Sequence, residues 1–113
     1  MTKFARYLFG HMNALTISVR FIDGEYWYMA ADICRLLEIE NHSTAVHGKR
    51  KRDEFTLEDH EWRKETIYIG GYGKKRVLLV NDEGMKKLIF QATSPLARPI
   101  QRRALNIPSN VIS

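Results

Sequence analysis

The chain has 113 residues, a length that forms one domain and buries a working core without staples. Apolar residues make up 44% and charged residues 27%, ordinary values that exclude a chain disordered along most of its length. No apolar run approaches the roughly 20 residues of a membrane-spanning helix, and residues 1–10 lack the apolar stretch of a secretory signal. The single cysteine, Cys34, forms no internal disulfide and has no Cys-x-x-Cys partner for zinc, which fits a reducing, cytosolic setting. The net charge of +5 is uneven: residues 1–46 carry net −1, residues 47–76 net +3 and residues 77–113 net +3. That asymmetry points to a polyanionic partner, which for such a chain is most often nucleic acid.

Residues 1–12 read as an N-terminal extension, with Phe4 and Leu8 on one helical face. Residues 14–22 alternate, placing Leu15, Ile17, Val19 and Phe21 on one side, as in a half-buried strand. Asp23-Gly24 is a hairpin turn signal, and residues 25–29 form the return strand. Trp27 faces opposite to Tyr26 and Tyr28 and reads as a structural aromatic rather than a base-stacking one. Ile33, Leu36 and Leu37 then mark a short amphipathic helix, with Cys34 a small buried hydrophobe beside them. Ser43 is the expected cap of a second short helix.

Residues 49–65 show no clean period and are expected as a long irregular loop pinned by Phe55, Leu57 and Trp62. Residues 66–69 and 76–80 flank a glycine-rich, basic tip and form a second hairpin. Asn81 caps a helix whose stripe is Met85, Leu88, Ile89 and Ala92. Ser94-Pro95 starts the last helix, with Leu96, Ile100 and Ala104 as its apolar face and Pro99 expected to kink it. Residues 109–113 form a tail, leaving 13–108 as the domain. The expected fold is α+β: two β-hairpins in a small antiparallel sheet, packed with about four short helices.

The chemistry-bearing residues favour binding over catalysis. The four histidines lack ligand spacing, so no metal and no cofactor is expected. No nucleophile elbow or Walker loop occurs, and Gly70-Gly71-Tyr72-Gly73 lies between two strands, where a turn is the better reading. Three basic clusters remain: Lys49, Arg50, Lys51 and Arg52; Lys74, Lys75 and Arg76; and Arg98, Arg102 and Arg103. A ribbon or helix carrying such cations has a shape that enters a DNA groove. The plain alternative is that each cluster is a solvated face. Phe55, Leu57 and Trp62 offer a second possibility, a protein-docking patch, against simple packing on the core.

Several ordered segments resemble the BRO family N-terminal (Bro-N) domain of phage antirepressors. Residues 23–34, Asp-Gly-Glu-Tyr-Trp-Tyr-Met-Ala-Ala-Asp-Ile-Cys, are similar to its opening signature. Gly70-Gly71 followed by residues 77–90 is similar to its second signature. Ser94-Pro95-Leu96-Ala97-Arg98 and Ile107-Pro108-Ser109 resemble its closing segments, although Ile100 and Arg103 stand where aromatics are usual. The resemblance spans residues 14–110. It implies a stand-alone, non-catalytic module that binds double-stranded DNA in phage or prophage gene regulation, in the cytoplasm of a bacterial host. The alternative it leaves open is a module that seizes a repressor or other host or phage protein without touching DNA.

Overall fold

The computed structural model describes residues 2–48, 56–68 and 70–111. The expected α+β architecture is present. Four antiparallel strands, β1 (Val19–Ile22), β2 (Glu25–Met29), β3 (Trp62–Tyr68) and β4 (Lys74–Val80), form one sheet in the order β1-β2-β4-β3. Helices α1 (Lys3–Phe9), α2 (His11–Ala14), α3 (Ala30–Leu36), α4 (His42–His47), α5 (Asp82–Gln91) and α6 (Arg98–Leu105) accompany it.

The two hairpins follow from local sequence. Ile22 pairs with Glu25, leaving a two-residue turn in which Asp23 and Gly24 both have positive φ, 52° and 80°. That geometry matches the right-handed strand twist and favours Asp-Gly. The second hairpin is longer than the expected 66–69 strand, because β3 begins at Trp62. Charged residues mask its alternation: Trp62, Lys64 and Thr66 face one way, Arg63, Glu65 and Ile67 the other.

One sheet face packs under the helices. Tyr28, Leu78 and Val80 meet Ile33, Leu37, Met85, Leu88 and Ile89 in the main core. The other face carries a smaller cluster, Trp27, Val77 and Leu79, bordered by Ile22, Met29 and Ile67. The Arg63 guanidinium lies 5.5 Å from the Trp27 ring centroid and pairs with Asp23 at the first turn, 3.7 Å away. Trp27 is therefore structural, at 5% exposure.

The structure corrects five expectations. The 14–22 strand is only Val19–Ile22, because residues 11–14 continue as α2. Leu15 and Phe21 are exposed rather than buried. Phe21 sits where β2 has no β4 beside it, since those strands pair only at Tyr28–Val80 and Met29–Leu79, so the hairpin end overhangs the core. Asn41, not Ser43, caps α4, accepting from the Thr44 N–H at 3.0 Å. Pro99 lies in the first turn of α6, where its missing N–H costs nothing, so it starts the helix instead of kinking it. Leu96 falls in the preceding 3-10 turn and is exposed.

Residues 3–9, placed by sequence in an extension, form a helix with Phe4, Ala5, Leu8 and Phe9 in the main core. Thr2 caps it and also lies 2.6 Å, oxygen to oxygen, from the Tyr28 hydroxyl.

Candidate nucleic-acid interface

The β3–β4 hairpin starts in the core and ends in solvent. Along β4, Val77 to Val80 are buried while Lys74, Lys75 and Arg76 are exposed. Residues opposite each other in an antiparallel pair share a face. Lys64 pairs with Leu78, Thr66 with Arg76 and Tyr68 with Lys74. The side that is core at Leu78 therefore becomes, further out, a polar face bearing Lys64, Thr66, Tyr68, Lys74 and Arg76. Tyr68 is 76% exposed, and the Lys74 ammonium lies 5.7 Å from its ring centroid. Among the described residues, no ion pair engages Lys64, Lys74, Lys75 or Arg76. The cations are thus available to an external anion.

A notch opens beside this ribbon. After Met29 the chain leaves the sheet and turns into α3, so β2 accompanies β4 only at Leu79 and Val80. The space beside Val77 and Leu78 is walled by Ala31 and by His42 and Ser43 at the start of α4. Lys64, Lys75 and Arg76 border it, and its volume is about 320 Å³.

The other sequence candidates are placed differently. Lys49, Arg50, Lys51, Arg52 and Phe55 lie outside the described residues. Arg98 and Arg102 are exposed on α6, which packs on α1 and α5 rather than on the ribbon. Arg103 is half-buried, and its Nε donates to the Leu8 carbonyl at 3.0 Å, tying the last helix to the first. Leu57 is buried at 4% exposure and so offers a partner no surface. Trp62 is half-buried against the main core, with the His47 ring edge-on at 4.6 Å.

The joint between the hairpins and α5 is held by polar groups. Asn81 is buried, and its side chain accepts from the Gly84 N–H and donates to Glu25 and the His60 carbonyl, each at 3.0 Å. Glu61 accepts from Lys87 Nζ and from the Glu58 N–H, both at 2.6 Å. Burial pushes the Glu61 pKa up, but those two donors outweigh it and hold the carboxyl below its ordinary value. Asp82 moves the other way: burial raises it, partly offset by a hydrogen bond from Tyr28. Among the described residues, no three His, Cys, Asp or Glu side chains converge as a metal site, and no helix is long and apolar enough to cross a membrane.

This arrangement is a curled antiparallel sheet with an Asn-capped helix following its second hairpin. The family model for the BRO family N-terminal domain matches residues 16–107. The chain belongs to this family. Bro-N domains form a regulatory family of DNA-binding type whose general context is phage antirepressors. No curated protein and no solved structure matches the chain. The Bro-N match runs from β1 through α6 and leaves α1 outside it, although α1 is packed into the same core.

Sequence reasoning missed Lys64, His42 and Ser43. Lys64 is hidden in the sequence because charged residues obscure its strand; the alternation of residues 62–68 is the available signal. His42 and Ser43 join the notch only through the packing of α4, which no local pattern announces.

Proposed function

We propose that this chain is a non-catalytic, double-stranded-DNA-binding regulator of the phage or prophage type, acting in a bacterial cytoplasm. The observation that carries the reading is the outer half of the β3–β4 ribbon, with Lys64, Lys74, Lys75 and Arg76 free of ion pairs among the described residues. A two-stranded ribbon fits the major groove, and its cations contact phosphates along the rims. Arg98 and Arg102 on α6 serve as a second phosphate patch, joined by Lys49 to Arg52. Arg103 is assigned a structural role instead, on the strength of its bond to the Leu8 carbonyl.

Fluorescence anisotropy on a mixed-sequence duplex of about 30 base pairs, titrated with salt, tests the reading. Replacing Lys74, Lys75 and Arg76 together by Ala should weaken binding and reduce the log–log salt slope by about 2.7, roughly 0.9 for each lost phosphate contact. An unchanged affinity and slope would remove the ribbon from the interface. Absence of binding even at low salt would remove DNA.

A protein partner is the second reading, favoured by Phe21 and Tyr26. Their rings meet edge-on at 4.9 Å on the overhanging hairpin, and Phe21 is 64% exposed. Such an aromatic pair is typical of interface anchors. A stoichiometric protein that co-purifies after nuclease treatment, and is lost in Phe21→Ala/Tyr26→Ala, would favour it.

A further inference from the structure

We infer that the notch between β4 and α4 is a nucleotide-binding pocket, taking one phosphate with its attached sugar and base. The choice of a nucleotide over other phosphates rests on the DNA-binding reading above; the pocket itself rests on geometry.

Three features converge. First, the notch lies along a strand edge with no neighbour strand among the described residues, because β2 stops accompanying β4 at Leu79. Successive side chains of a strand point to opposite faces. Lys75 and Arg76 therefore flank the edge from its two sides, and Lys64 adds a third cation from β3. An anion seated at the edge meets positive charge above and below, and any unpaired strand N–H faces it directly. Second, among the described residues no acidic side chain borders the notch, and His42 and Ser43 at the start of α4 line it together with the cations. Both are groups that donate to phosphate oxygens. Third, the lining includes the apolar residues Met29, Ala31, Val77 and Leu78, and the volume of about 320 Å³ exceeds what a bare phosphate needs. It falls at the lower end of small-ligand pockets. Cations and apolar side chains lining one notch match a ligand that joins a charged phosphate to a flat, apolar base.

The ligand has two sources, a free nucleotide or a nucleotide of a DNA strand. The full chain is titrated with deoxyadenosine monophosphate, with inorganic phosphate and with the duplex, following backbone amide resonances by NMR. The nucleotide should shift Ala31, Ser43, Lys75 and Val77 saturably, and inorganic phosphate at equal concentration should shift them far less. Ser43→Glu should weaken nucleotide binding by about tenfold, by placing a carboxylate on the wall. The variant should fold, because Ser43 is exposed, Asn41 supplies the cap, and an acid in the first helical turn is favourable. Displacement of the nucleotide by duplex shows that DNA and the nucleotide compete for the same cations, and simultaneous binding identifies a free nucleotide as the occupant; both support the pocket. Duplex binding with no nucleotide-induced shifts at the notch overturns the pocket and leaves the DNA reading intact. Nucleotide binding at the notch with no duplex binding does the reverse. Equal shifts from inorganic phosphate overturn the nucleotide and leave only an anion site.

Discussion

Gly84 sits so close to Glu61 that a methyl carbon added to it would stand 2.6 Å from the Glu61 carbonyl oxygen. The same carbon would lie 2.8 Å from Leu57 Cδ2 and 3.0 Å from Val80 Cβ. The glycine is thus required by packing, where α5 presses onto the backbone at the foot of β3. The Glu61 carbonyl cannot retreat freely, because it also accepts the Asn81 N–H at 3.1 Å.

Gly84→Ala should therefore destabilise the fold. Alanine is favoured in a helix by about 1 kcal/mol, but overpacking against backbone costs about 1–3 kcal/mol. The contact at 2.6 Å to backbone puts the cost toward the upper end, so a net loss of up to about 2 kcal/mol is expected in urea unfolding. A variant more stable than the parent would show that α5 can move away from Glu61.

The Glu61–Lys87 pair should dominate the acid limb of stability. Glu61 is nearly buried, and its pKa is held below the ordinary value by Lys87 and the Glu58 N–H despite burial. A depressed carboxyl contributes stability above its unfolded pKa of about 4.3, and the contribution is lost as pH falls through the lower folded value. Lys87→Met strands the carboxylate and should cost about 2–3 kcal/mol at pH 7, toward the low side because Lys87 is a quarter exposed. The same variant should lose less than the parent between about pH 5 and pH 3, because its unpaired Glu61 gains from protonation. Chemical denaturation across that range reads both effects. Asp82, raised by burial, acts with the opposite sign and should blunt the parent's acid loss.

Much of this fold can be read from the chain, and the failures have identifiable physical causes. Asp23-Gly24 and the Asn81 cap were legible because each solves a local backbone problem: a turn with two positive φ angles, and an unpaired helix N–H. The buried stripe of Met85, Leu88 and Ile89 was legible because one helix face meets one core. Phe21 misled because alternation marks a face without saying whether anything covers it, and the overhang depends on where β2 parts from β4. β3 was obscured because Arg63 and Glu65 pair with each other on one face while Lys64 faces solvent on the other. The ribbon cluster was legible as a run of charge, but the notch needs α4 to fold back beside β4, a contact between distant segments.

Cys34 should be chemically silent in the native state. It is 1% exposed, and burial pushes its thiol pKa up to about 12, so almost no thiolate exists at neutral pH. Labelling by a thiol-specific disulfide reagent at pH 8 should proceed only at the rate of opening, and at full speed in denaturant. Rapid labelling of the folded protein would place Cys34 at a mobile surface.

The two arginines at the end of the chain should separate stability from binding. Arg102 is exposed on α6, whereas Arg103 donates to the Leu8 carbonyl. Arg103→Ala should cost about 1–2 kcal/mol of stability, since a charged donor is removed from a partly buried acceptor, with little effect on the salt slope of DNA binding. Arg102→Ala should leave stability within about 0.5 kcal/mol and lower the salt slope by about 0.9. The reverse pattern would exchange the roles of the two residues.

Removal of residues 1–12 tests whether the first helix belongs to the folding unit. Phe4, Leu8 and Phe9 are at most 5% exposed in the main core, and Thr2 reaches the Tyr28 hydroxyl. Losing one large buried apolar side chain costs about 2–5 kcal/mol, and this truncation removes three. A domain of this size has only about 5–15 kcal/mol in total. The shortened chain should therefore lack a cooperative unfolding transition, even though the Bro-N match begins at residue 16. The single substitution Leu8→Ala, which keeps the helix, should destabilise by about 3 kcal/mol while retaining cooperativity. If the truncated chain melts cooperatively within about 1 kcal/mol of the parent, α1 is an appendage and the core closes without it.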